Sequence, residues 1–158
     1  NLVVMSARAN RAKAAYAWDD AMRFVRQIEL AGEFNLPILV HTPHRDKKKG
    51  TERSIALVKR LGFPVERTLI DHNNEETLPL VLESGCWAGH TIYPRTKMDE
   101  GRMAALVLKY GSDRIIINSA ADWGISDPLK VPKTIAVMRS PRMSAGAGRS
   151  NTGSSRSN

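Results

Sequence analysis

Four short apolar runs constrain this chain more than any other feature. Each ends at or next to a polar or titratable residue and is followed by a segment with helical spacing. The runs are Pro37-Ile38-Leu39-Val40-His41, Thr68-Leu69-Ile70-Asp71-His72, Cys86-Trp87-Ala88-Gly89-His90-Thr91-Ile92 and Arg114-Ile115-Ile116-Ile117-Asn118. Such runs suit strands buried on both faces, as in parallel sheets. Asp19-Asp20 is placed to cap a first helix that runs to about Asn35, with Met22, Val25, Ile28 and Leu30-Ala31 on its apolar side. Thr51 is expected to cap a second, carrying Ile55, Leu57, Val58 and Leu61 and stopped by Gly62. A short helix over 75–83 ends at Ser84-Gly85, a fourth over 99–110 closes at Gly111, and a last begins near Pro132.

Helices between successive strands imply parallel pairing with right-handed connections. The fold class is α/β, and four βα units make half of an eight-stranded (β/α) barrel. An open doubly wound sheet is the competing architecture. No Gly-rich phosphate loop is present to support a nucleotide-binding version of it. The chain of 158 residues is 42% hydrophobic and 25% charged, enough for one core. That domain is expected over 18–139, after a segment 1–17 of different character. From Ser140 onward Ser, Gly, Arg and Asn dominate, and 140–158 reads as a disordered tail. The single cysteine, Cys86, excludes an intrachain disulfide or a multi-cysteine zinc site. No apolar run reaches 18 residues and no secretory leader opens the chain, so no membrane partner and a cytoplasmic location are expected.

The net charge of +8 sits at the ends. Arg8, Arg11 and Lys13 have no acid near them, nor have Arg139, Arg142, Arg149 and Arg156, while the middle is nearly balanced. A nucleic-acid-binding face needs positive charge gathered on a folded surface. The one local cluster, Arg45-Asp46-Lys47-Lys48-Lys49, reads as a solvated loop or as a contact to an anionic substrate.

The chemistry lies where the strands end. His41 closes the first run and His72 the second; the third ends with Thr91 and Tyr93, and Asn118, Ser119 and Asp122 follow the fourth. Strand C-termini in a parallel α/β protein converge on one face. Two imidazoles and a carboxylate there are ligands for a divalent ion, zinc or manganese first and magnesium also allowed. One histidine at a strand end is more often a hydrogen-bonded structural residue, but two at equivalent ends share a face. Asp71 either orients a ring or caps the next helix. His44 and Arg45, just past the first strand, are candidate substrate contacts. His90, in mid-strand, reads as core, as do Trp87, Trp123 and Cys86.

Three stretches resemble the TatD-related metal-dependent hydrolases of the amidohydrolase superfamily. They are Leu36-Pro37-Ile38-Leu39-Val40-His41-Thr42-Pro43-His44, Ile70-Asp71-His72-Asn73-Asn74-Glu75-Glu76-Thr77 and Asn118-Ser119-Ala120-Ala121-Asp122-Trp123-Gly124. The resemblance covers roughly residues 18–135 and implies a (β/α)8 hydrolase with one or two divalent metals. It makes His41 the metal ligand after the fifth strand and His72 the ligand after the sixth. Asp122 becomes the acid after the eighth, binding metal and activating water. The family's first-strand His-x-His is absent, as is its bridging glutamate, so the chain reads as the C-terminal half of the barrel with an incomplete site. A phosphoester substrate, nucleic acid included, is the leading class, ahead of amides, lactones or another small molecule. The alternatives are a degenerate, non-catalytic binding or assembly module and a protein that binds nucleic acid through its basic ends. Half a barrel leaves open sheet edges, so self-association is expected.

Overall fold

The computed structural model describes residues 3–4, 17–42, 45–93, 98–119 and 127–140, with side chains described from Met22 onward. His44, Asp122, Trp123 and the expected tail beyond Ser140 lie outside the described residues. In chain order the elements are β1 (Val3–Val4), α1 (Ala17–Glu33), β2 (Ile38–His41), α2 (Lys47–Arg60), a 3-10 turn (Val65–Arg67), β3 (Thr68–Asp71), α3 (Leu78–Ser84), β4 (Trp87–Thr91), α4 (Glu100–Tyr110), β5 (Ile115–Asn118) and α5 (Lys130–Met138).

The strand order is β1-β2-β3-β4-β5, with parallel pairing from β1 through β4. Sequential order settles the choice between the two architectures. A doubly wound sheet reverses direction at a switch point, whereas a barrel adds each strand beside the last. The strand Val3–Val4, which pairs with β2, was not foreseen, because two residues carry no readable period.

The helix ends follow local chemistry. α1 stops at Glu33 because Asn35 turns left-handed (φ 55°) and Leu36 N–H reaches back to the Ala31 carbonyl at 2.8 Å. Asp19 and Asp20 lie inside α1, which begins at Ala17, and do not cap it. Gly62 (φ 66°) and Gly85 (φ 87°) close α2 and α3 with the left-handed turns only glycine adopts freely. The expected start of α2 is corrected. The helix begins at Lys47 behind Asp46, four residues before Thr51. Thr51 is fully buried within it, so Lys47, Lys48 and Lys49 form a first helical turn and not a loop.

Two compact units are present, Asn1–Thr91 with Arg114–Ile117, and Ile92–Asp113 with Asn118–Asn158. In the first, alternate strand residues divide the sheet. Ile38, Val40, Thr68, Ile70, Ala88 and His90 are all buried. On the other side Leu39, His41 and Leu69 are half-buried and Trp87 is 37% exposed. Ile28, Ala31, Val58, Leu78 and Val81 supply buried apolar groups from the helices. In the second unit α4 is capped by Asp99, whose carboxylate accepts from Arg102 N–H at 2.8 Å. Glu100 of α4 pairs with Lys130 of α5 at 2.6 Å, and that ion pair holds the Glu100 carboxyl below its usual range. No helix among the described residues is long and apolar enough to cross a membrane.

Candidate metal centre

The register of β2 on β3 sets His41 directly beside Asp71. Neighbours in one row point to the same side of a sheet. A strand continuing past Asp71 would send His72 to the opposite side. His72 instead adopts a left-handed backbone (φ 62°), which turns its ring back toward His41. The two Nε2 atoms lie 2.9 Å apart, with the rings edge to face at 3.9 Å between centroids. On the far side of its ring, His72 Nδ1 lies 2.6 Å from Thr91 Oγ1 and 3.7 Å from Asp71 Oδ2. His41, Asp71 and His72 offer ligand atoms that all lie within 4.8 Å of one another.

The loop after β3 is held at several points. Thr42 Oγ1 donates to the Asp71 carbonyl at 2.7 Å, and Lys47 Nζ donates to the His72 carbonyl at 2.6 Å. Asn73 donates from its amide side chain to the Ile70 carbonyl at 2.6 Å, and its backbone N–H donates to Gly89 O at 2.9 Å. Thr77 Oγ1 donates to Asn73 Oδ1 at 2.9 Å. Gly89 lets β4 come this close. A Cβ there would stand 2.6 Å from Asp71 Oδ1 and 3.1 Å from Asp71 Cα, distances that force a shift.

This donor set fits a divalent ion. Two nitrogens about 2.0–2.1 Å from a tetrahedral zinc stand roughly 3.3 Å apart. The Nε2 atoms need open by only a few tenths of an ångström to share one. With a proton on Nδ1 donated to Thr91, His72 presents the Nε2 lone pair a metal takes, the usual arrangement of a ligating histidine. As it stands, the His41–His72 contact is a hydrogen bond in which one ring donates.

Of the residues expected at the site, His41 and His72 are brought together at the ends of adjacent strands. Asp71 stands inside the cluster and caps no helix, since α3 begins at Leu78 behind Thr77. Arg45 is exposed, just ahead of α2. His90 is buried with neither ring nitrogen hydrogen-bonded among the described residues, and burial lowers its pKa to about 4. Cys86 is buried at the opposite end of β4, and burial raises its thiol pKa. The roles of Lys47, Thr91 and Gly89 were not anticipated. A glycine inside an apolar run does signal close backbone approach; nothing local marks Lys47.

Sequential parallel strands with two histidines converging at their C-terminal ends define the class: a segment of a (β/α) barrel whose strand-end donors could hold a metal ion. The chain is related to the TatD-like metal-dependent hydrolases. It is 26% identical over 125 residues to an uncharacterised metal-dependent hydrolase of Methanocaldococcus jannaschii, a match covering 78% of this chain and 49% of that protein. It superposes on the crystal structure of a TatD-like protein from Archaeoglobus fulgidus with a TM-score of 0.62 and 27% identity, over 80% of this chain and 50% of the other. The chain therefore spans about half the length of both. No protein-family model matches the sequence.

Proposed function

We propose that this chain carries the strand-end histidine half of a TatD-type metal-dependent hydrolase. The observation that carries the reading is the convergence of His41 Nε2 and His72 Nε2 at 2.9 Å beside the Asp71 carboxylate. His41 and His72 would hold a divalent ion, zinc or manganese by the nature of the donors, with Asp71 next to them. Asp122, after β5, is the proposed carboxylate that takes a proton from the attacking water. The ion, when bound, supplies a water acidic enough to ionise near neutral pH and polarises a substrate oxygen. Thr91 fixes the ring of His72, and the low exposure of Asp71 and His72 (6% and 7%) keeps bulk water from competing for them.

The phosphoester class, nucleic acid included, rests on the resemblance in the sequence. His44 and Arg45 are proposed to meet that substrate. An open depression at the start of α2 is lined by Asp46, Lys47, Lys48, Lys49, Glu52 and Glu76. Its three lysines face three carboxylates, so the lining has no net charge and is not an anion site by itself. A second reading is a non-catalytic binding or assembly module. It is favoured by the three-donor cluster of the described residues. Association of two copies through the open sheet belongs to either reading.

Chelator-washed chain reloaded with zinc or manganese should retain close to one ion per chain, and His41→Ala or His72→Ala should each lose it. Retention undiminished in both variants would sink the assignment. Turnover of an activated phosphodiester by the loaded chain separates enzyme from module.

A further inference from the structure

We propose that Lys47 is a positioning residue for the metal centre, holding His72 in the left-handed backbone that presents its imidazole to His41. The inference rests on the metal-centre reading above and adds a residue to it. β3 ends at Asp71, so His72 lies just beyond the strand. The carbonyls of both residues are taken up by side chains of the segment that follows β2: Thr42 on Asp71 O and Lys47 on His72 O. A left-handed conformation is unfavourable for any residue with a Cβ and persists where its surroundings over-determine it.

At His72 that conformation decides which side of the sheet the ring faces. Lys47 is half-buried, and its ammonium, 2.6 Å from the carbonyl, makes a charge-assisted hydrogen bond to this very peptide. α2 begins at Lys47 itself. The first residue of the helix after one ligand strand thus fastens the ligand of the next. The start of α2 at Lys47 and not at Thr51 is what places the ammonium there.

The test uses the full chain and three variants. Lys47→Met keeps the stem and removes the donor, Lys47→Arg restores a charged donor, and Lys59→Met removes a charge from the far end of the same helix. Zinc affinity is measured by competition with a chromophoric chelator. The ring 15N resonances of His72 are recorded on metal-free protein. Lys47→Met should weaken zinc binding about tenfold or more, the usual effect of losing a group that orients a ligand. Lys47→Arg should recover most of it, and Lys59→Met should change nothing. In the metal-free chain, Lys47→Met should move the His72 Nδ1 signal, and Lys47→Arg should return it. Zinc affinity unchanged or raised in Lys47→Met would overturn the proposal, since the ammonium would then act only as a like charge near the ion. An unmoved His72 ring would overturn it too. Should the unmodified chain bind no zinc, the metal-centre reading fails, and the His72 ring still decides the role of Lys47.

Discussion

Gly89 is required by its neighbour's carboxylate. A methyl group there would collide with both the side chain and the backbone of Asp71, and neither is free to move far between β2 and β4. Gly89→Ala should therefore cost about 1–3 kcal/mol of stability. It should also weaken zinc binding, read by denaturant unfolding and by chelator competition. A variant as stable as the parent would show that β4 does not press on Asp71. His90 gives a different prediction. Its ring stays neutral in the folded chain down to about pH 4, whereas in the unfolded chain it titrates at its ordinary value of 6.5. The folded-state pKa is depressed, so stability is complete above pH 6.5 and drains away as pH falls toward about 4. The loss is roughly 3 kcal/mol. His90→Leu should flatten that limb of the pH–stability curve. An acid limb identical in parent and variant would refute the role of burial.

The two helix starts make opposite predictions at the scale of the element. Asp99 sits in extended backbone and accepts the Arg102 N–H, so Asp99→Ala should destabilise by about 1 kcal/mol. Asp46 precedes α2 in a left-handed conformation (φ 48°) with no side-chain cap bond. Asp46→Gly relieves that backbone and should be neutral or stabilising by several tenths of a kcal/mol. Thermal unfolding of the two variants checks both signs. The same pair shows what was legible. The start of α4 was legible to within a residue, expected at 99 and found at Glu100 behind Asp99. The α2 start was not, because Thr51 looks like a cap by residue type while its burial inside the helix depends on what packs over it.

At the scale of the whole molecule, the sheet keeps a half-covered apolar side, with Leu39 and Leu69 half-buried, Trp87 37% exposed and Ile116 of β5 41% exposed. In a closed barrel the inner side is filled by layers of side chains. Partly exposed apolar groups on a sheet whose outer strands among the described residues are β1 and β5 favour association. Sedimentation at micromolar concentration should show a dimer or larger species, weakened by Trp87→Lys. A monomer throughout would remove that expectation.

From α1 onward the order of strands and helices was written in the sequence, since apolar runs of strand length separated by helical periods allow few other arrangements. So was the placement of His41 and His72 at equivalent strand ends, because a titratable residue closing an apolar run is visible without coordinates. What the sequence could not decide was how His72 reaches His41. Strand alternation alone sends the two rings to opposite sides, and only the left-handed turn at His72 brings them to 2.9 Å. That turn depends on partners 25 and 31 residues away in the chain, Lys47 and His41. Contacts at such separation leave no period or motif, so they exist only once the sheet has set its register.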